Sequence, residues 1–169
     1  VTWAYDAGVA RLTLDRPDRR NMLDAELLGS LLQQLDRAAT DTDVRVVVLA
    51  AEGAAFCAGA DLRGAAAGGA DSFAGAAARL LASVLESIMD HPKPVIARVQ
   101  GHVAGGGNGL VAACDIAVAS DAAMFSAIAL FAKPEAGDTV KVGESATAVT
   151  ATDNAAVAVS RAVELVDEL

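Results

Sequence analysis

A nearly unbroken apolar run at residues 44–51 constrains the fold more than any other feature of this sequence. A strand that is apolar on both faces must be covered on both sides, which is typical of a parallel sheet with helices packed on it. Two leucine-rich segments of helical spacing flank the run. Residues 27–35 follow a possible N-cap at Asp24, and residues 80–89 end before Pro92. The sequence therefore predicts a buried strand between two amphipathic helices.

Shorter strand signals complete an alternation of strands and helices. Residues 1–5 and 9–14 are rich in Val, Thr and aromatic side chains and are separated by three turn-forming residues, so they predict a hairpin. Residues 95–99 and 116–119 predict two further strands. Because strands alternate with helices along the chain, we expect an α/β fold with crossover connections between parallel strands.

Two loops made of small residues follow predicted buried strands, one at residues 56–62 and one at residues 101–109. Small side chains leave backbone N–H groups open to a ligand, and Gly59 permits an unusual turn. The second loop leads into a short helix predicted at residues 110–114, where free N–H groups and the helix dipole favour a developing negative charge. Its glycine spacing fits neither a Walker loop nor a dinucleotide-binding motif. Together the loops could supply two hydrogen-bond donors to one oxyanion.

Charge and cysteine content exclude several classes of function. The formal net charge of -9 argues against binding to a nucleic-acid backbone. Cys57 and Cys114 are too few and too far apart for a disulfide framework or a zinc site, so we expect two buried free thiols and no metal. The sequence shows no signal-peptide or membrane-span pattern, and a cytoplasmic protein is expected.

Three segments together resemble the crotonase (enoyl-CoA hydratase/isomerase) superfamily. Residues 16–23 are similar to its N-terminal Arg-Pro…Asn-x-Leu segment, residues 56–62 to its first oxyanion loop and residues 93–116 to its second. The resemblance runs in unbroken order over residues 1–126, which we interpret as an acyl-CoA-binding core. The amino-acid sequence of residues 109–115 most resembles that of methylglutaconyl-CoA and enoyl-CoA hydratases.

The resemblance implies both a fold and a reaction. The fold would be a spiral of ββα units, and the protein a lyase of fatty acid metabolism that hydrates a 2-enoyl-CoA reversibly. Coenzyme A would enter only as part of the substrate, without another cofactor, and the assembly would be a homotrimer or hexamer. By position, Ala60 and Gly106 would supply the oxyanion-hole amides. Arg19, Arg20 and the backbone of Ala58 would contact CoA.

The sequence departs from the family at the acid–base residues. Hydration uses two carboxylates to hold and activate water, but the matching positions here are Gly109 and Ala129. The family's C-terminal helical region is expected to be truncated or incomplete. Residues 127–169 instead form an atypical acidic tail, with a terminal helix expected at residues 155–169. A non-catalytic acyl-CoA-binding homologue is therefore an alternative to an active hydratase.

A serine hydrolase of related architecture is a weaker alternative, because it would require a Ser/His/Asp set. Ser120 and Ser126 lack the context of a nucleophile loop, and only His91 and His102 could act as the base. For His102, which borders the glycine loop, we expect a structural hydrogen bond.

Overall fold

A computed structural model describes residues 1–59 and 73–126 of the chain. Within these residues, strands that form two sheets alternate with three α-helices along the sequence, and a short 3₁₀ helix lies at Pro17–Arg19. In chain order the elements are β1 (Thr2–Asp6), β2 (Val9–Leu14), α1 (Ala25–Thr40), β3 (Val46–Ala51), β4 (Ala55–Cys57), α2 (Phe73–Met89), β5 (Val95–Val99), β6 (His102–Ala104), α3 (Gly106–Ala113), β7 (Ile116–Ala119) and β8 (Phe125–Ser126).

The larger sheet has five strands in the order β1-β2-β3-β5-β7. Only β1 and β2 run antiparallel, and they form the predicted hairpin through Ala7 and Gly8, both at positive φ. The remaining neighbours are parallel. Strand β3 lies in the middle, and all six of its residues are buried, as the apolar run predicted.

Helix α1 packs one leucine-rich face into the core under this sheet. It begins where predicted, because the Asp24 side chain accepts a hydrogen bond from Leu27 N at 2.9 Å and caps the first turn. Helix α2 ends at Met89, ahead of Pro92 and Pro94. The buried residues of α1 are Leu27, Leu28, Leu31, Leu35 and Ala38.

The smaller sheet contains the parallel strands β4, β6 and β8. Both predicted small-residue loops proved to be partly regular. Strand β4 occupies the start of the first loop, strand β6 lies inside the second, and α3 begins at Gly106 rather than at Leu110. Strands of two or three residues are too short to show a hydrophobic alternation, so only their pairing in space defines them.

The predicted acidic tail at residues 127–169, with its terminal helix, lies outside the described residues. Across the two described ranges, no helix combines the length and apolar composition needed to cross a membrane.

Candidate functional site

Residues 16–21 form a turn that carries Arg16, Arg19 and Arg20, here called the basic turn. Asn21 holds this turn against the connection between β3 and β4. Its side chain is fully buried, and its backbone adopts φ 52°. The Asn21 Nδ2 group donates to the carbonyl oxygens of Glu52 and Ala55, each at 2.9 Å, while Oδ1 accepts from Arg16 N at 2.8 Å. Both ends of the amide are thus satisfied, so the turn has one defined position relative to the first loop.

Backbone hydrogen bonds continue this contact into the first loop. Ala58 N donates to Arg20 O at 3.0 Å, and Leu23 N donates to Gly59 O at 2.8 Å. The side chains of Arg19 and Arg20 are exposed beside this junction. The structure therefore brings together the three positions predicted to contact CoA, which are Arg19, Arg20 and Ala58. A role in CoA binding remains a prediction.

An ion-pair cluster fixes the base of the same turn. Arg16 Nη1 lies 2.6 Å from Asp24 Oδ2, and Arg16 also pairs with Glu26. Arg19 Nη1 lies farther from Asp24, at 3.4 Å. Partial burial acts to raise the pKa of Asp24, but the hydrogen bonds from Leu27 N and Arg16 outweigh it and hold that pKa below its ordinary value of 3.8. The Arg16 side chain is thus occupied by its ion pairs with Asp24 and Glu26, whereas the Arg20 side chain is exposed.

The two loops meet at Gly59 and Gly105. Gly59 has φ 85°, and a Cβ built there would lie 2.8 Å from Ala104 O and 3.3 Å from Gly105 Cα. Strands β4 and β6 cause this approach, because they pair in parallel and both loops leave the same end of the smaller sheet. Loops that are distant in the sequence thus lie side by side.

The two predicted oxyanion donors are the next residues along each loop. Gly106 is the first residue of α3, whose first N–H groups have no partner within the helix. A Cβ at Gly106 would lie 3.1 Å from Leu23 Cδ1 and 3.1 Å from Leu81 Cδ2. Ala60 lies outside the described residues. The convergence of the Ala60 and Gly106 amides therefore stays a prediction, with the contact of Gly59 and Gly105 as its structural support.

Of the two positions where the family carries its acid–base glutamates, Gly109 lies within the described residues. Gly109 lies on α3, and a Cβ built there would meet Leu85 Cδ1 and Cδ2 of α2 at 3.5 Å, an ordinary van der Waals contact. This position therefore has an apolar neighbour and no carboxylate of its own. Ala129 lies outside the described residues.

The two cysteines stand in different surroundings. Cys57 is buried in contact with α3, where a Cβ on Gly107 would lie 2.8 Å from its Cβ. Burial raises the pKa of the Cys57 thiol to about 11 and that of Cys114 to about 12. Cys114 is only partly buried, which corrects the prediction of two buried thiols, because the short helix α3 leaves its end near the surface. Within residues 1–59 and 73–126, no group of three His, Cys, Asp or Glu side chains could hold a metal ion.

His102 makes the kind of hydrogen bond that we expected, through Nε2 to Ser126 Oγ at 2.9 Å. This pair is the only part of a hydrolase triad that the described residues bring together, since no carboxylate among them bonds to the His102 ring. In the described part of the chain, the hydrolase alternative therefore lacks the group that would orient its base.

Asn21 and Asn108 carry contacts that the sequence did not assign. Asn21 stands in the segment that resembles the family, and its positive φ is a conformation that asparagine tolerates better than most residues. Asn108 stands between glycines, where its partners could not be foreseen. Its Nδ2 donates to Gly105 O at 3.3 Å and to Ser126 O at 2.9 Å. Asn21 thus holds the basic turn against the β3–β4 connection, and Asn108 holds the backbone at Gly105 in the second loop.

Comparisons with known proteins agree on one family. The family model described as enoyl-CoA hydratase/isomerase matches residues 4–136. The human enoyl-CoA hydratase domain-containing protein 3, mitochondrial, is 36% identical over 119 residues, which cover 70% of this chain and 39% of the relative. The chain thus spans well under half the length of this curated relative.

Solved structures give the same result. The crystal structure of human enoyl-CoA hydratase domain-containing protein 3 has a TM-score of 0.71 and 35% identity, covering 75% of this chain and 50% of that one. The enoyl-CoA hydratase of Mycobacterium smegmatis has a TM-score of 0.69 and 40% identity, covering 74% of this chain and 49% of that one.

Proposed function

This chain belongs to the enoyl-CoA hydratase/isomerase family, and we propose that it binds an acyl-CoA thioester and stabilises the enolate of that thioester on its carbonyl oxygen. The predicted crotonase-like α/β fold is confirmed by the solved neighbours. The observation that carries the proposal is the contact between Gly59 and Gly105, because it brings the two small-residue loops side by side at the start of α3.

In the proposed mechanism, the thioester oxygen accepts hydrogen bonds from the amides of Ala60 and Gly106. Negative charge that develops on this oxygen would be stabilised by these two donors and by the N-terminal end of α3. Removing one donor of this kind typically costs roughly 10²–10³ in rate, or about 3–4 kcal/mol. Leu23 and Leu81, which lie close to Gly106, would keep water away from the same oxygen.

CoA would bind along the junction of the basic turn with the first loop. Arg19 and Arg20 have exposed side chains there, and a guanidinium group suits phosphate oxygens. The N–H of Ala58 already donates a hydrogen bond to Arg20 O. The Ala58 carbonyl is therefore the backbone group that would contact the adenine. Reversible hydration of a 2-enoyl-CoA is the proposed reaction, with CoA as part of the substrate and a homotrimer or hexamer as the assembly.

A second candidate is an acyl-CoA-binding homologue without hydratase activity. The observation that favours it is Gly109, which stands at a glutamate position of the family and faces Leu85. Without a carboxylate, a water molecule at this position would have no base to accept its proton.

Two measurements test these candidates. Calorimetric titration with a saturated acyl-CoA tests binding, and we expect a stoichiometric complex; absence of binding would reject both candidates. Loss of the ultraviolet absorbance of crotonyl-CoA tests hydration. Turnover of crotonyl-CoA in proportion to the amount of purified protein supports the hydratase. Binding of acyl-CoA without turnover supports the second candidate. Gly109→Glu supplies one missing carboxylate in a place where its Cβ fits, so a gain of turnover in this variant would identify that position as the cause.

A further inference from the structure

The direction of the Gly106 N–H depends on the peptide unit that joins Gly105 to Gly106. Because a peptide unit is planar, the carbonyl of Gly105 and the N–H of Gly106 lie in one plane and point in opposite directions. Whatever holds the Gly105 carbonyl therefore also aims the Gly106 N–H. Gly105 needs such support, since it adopts φ 51° and ψ -122°, and glycine has more backbone freedom than any other residue.

Asn108 supplies this support from two sides. Its backbone N donates to Gly105 O at 3.1 Å, and its side-chain Nδ2 donates to the same oxygen at 3.3 Å. Nδ2 also donates to Ser126 O at 2.9 Å, which is possible because a side-chain amide carries two N–H groups. Ser126 O in turn accepts from Gly105 N at 3.3 Å. Both peptide units of Gly105 are thus anchored, and Asn108 links them.

We propose that Asn108 is a positioning residue that aims and strengthens the Gly106 amide as an oxyanion donor. This inference rests on the proposed function, because it assumes that the Gly106 N–H binds the thioester oxygen. Two effects act in the same direction. The side-chain amide fixes the plane of the Gly105–Gly106 peptide before the ligand arrives, and hydrogen bonds accepted by the Gly105 carbonyl polarise that peptide and make its N–H a stronger donor.

The chemistry of the asparagine side chain explains why this residue type is suited to the position. Aspartate has the same shape but only acceptor atoms when ionised, so its oxygens would face the carbonyl oxygens of Gly105 and Ser126. Alanine removes both side-chain donors, and serine keeps one. The backbone bond from Asn108 N to Gly105 O is retained in each variant, so the first turn of α3 keeps its main-chain support.

Isotope-edited infrared spectroscopy of a bound acyl-CoA with a ¹³C-labelled thioester carbonyl tests the proposal directly. A carbonyl that accepts stronger hydrogen bonds absorbs at lower frequency, so the shift on binding reports the strength of the oxyanion donors. We expect a shift to lower frequency in the wild type, a smaller shift in Asn108→Ser, loss of more than half of the shift in Asn108→Ala, and the smallest shift in Asn108→Asp. The matched control is Gln33→Ala, an exposed side chain on α1, which should keep the full shift.

Calorimetry and thermal unfolding on the same proteins separate the outcomes. Affinity for the acyl-CoA should change much less than the carbonyl shift, because the rest of CoA binds elsewhere. An unchanged shift in folded, ligand-bound Asn108→Ala and Asn108→Ser would overturn the role of Asn108 and leave the proposed function intact. A wild-type protein that binds no acyl-CoA, or binds it without a carbonyl shift, would overturn the proposed function and this inference with it. If Asn108→Asp does not fold, the alanine and serine variants still decide the result.

Discussion

Gly59 packs its backbone directly against that of Gly105: a Cβ built on Gly59 would lie 3.3 Å from the Cα of Gly105 and 2.8 Å from the neighbouring carbonyl oxygen of Ala104. Real Cβ atoms do not approach backbone oxygens so closely, so any side chain at Gly59 would push the two loops apart. The candidate site therefore depends on a position where only glycine fits.

Replacing Gly59 tests how far the fold depends on this contact. Gly59→Ala should lower the free energy of unfolding by about 1–3 kcal/mol through its positive φ alone, with the clash at Ala104 O adding to that loss. Gly29→Ala is the control, because Gly29 lies in α1 with nothing within 4 Å of its Cβ position. That change should stabilise the protein by roughly 0.5–1 kcal/mol. Urea denaturation measures the free energy of unfolding of both variants. Equal changes at the two glycines would contradict the close packing of Gly59 against Ala104 and Gly105.

Replacing Gly106 tests the proposed binding of the thioester. In Gly106→Val the added carbons would crowd Leu23 and Leu81 and stand beside the amide that the carbonyl oxygen must reach. We expect acyl-CoA affinity to fall at least about tenfold, equal to 1.4 kcal/mol. Ala112→Val, at an exposed position of the same helix α3, should bind as the wild type does. Calorimetry would count against the assignment if Gly106→Val bound with unchanged affinity.

Asn21 provides a test of the buried amide that anchors the basic turn. Asn21→Ala removes the donor to the Glu52 and Ala55 carbonyls; the Ala55 carbonyl is buried, and a buried group left without a partner costs about 1–3 kcal/mol. Asn21→Gly loses the same hydrogen bonds but tolerates φ 52°, so it should be the less destabilised of the two. The urea midpoints of the two variants decide this, and the opposite order would show that backbone strain is unimportant there.

The Asp24 carboxylate predicts a pH dependence of stability. Its pKa in the folded protein lies below the ordinary value of 3.8, so its contribution is complete above pH 3.8 and is lost as the pH falls through the lower folded value. Asp24→Asn keeps an N-cap residue but removes the charge that pairs with Arg16. The difference in unfolding free energy between wild type and Asp24→Asn should therefore be largest above pH 3.8 and shrink in acid.

An exposed carboxylate on the same helix is the control for this effect. Asp36→Asn should leave the unfolding free energy within about 0.5 kcal/mol of the wild type at neutral pH. Urea unfolding over a pH series measures each difference. A gap between wild type and Asp24→Asn that grows on acidification would mean that the pairing with Arg16 does not lower the pKa of Asp24.

Local sequence patterns predicted the elements that carry the core. The apolar run that became β3, the capped start of α1 at Asp24 and the hairpin of β1 and β2 are determined by side chains close together in the chain. The hydrophobic patterns extend over several residues and the cap acts within one helical turn, so a local signal was sufficient. The short strands β4 and β6 gave no such signal, and they were predicted as loop because only pairing with distant strands defines them.

For the candidate site, the order of residues along the chain was enough to show which residues are small enough to expose their amides and which family the chain resembles. Three contacts became known only from the folded chain: Gly59 touches Gly105, Leu85 faces Gly109, and Asn108 holds the Gly105 carbonyl. Glycine has no side chain through which the sequence could specify a partner, and the partners of Asn108 are main-chain carbonyls, which every residue type carries. The glycine contacts depend on where two parallel strands of the smaller sheet deliver the backbone, and that placement comes from packing of the whole core.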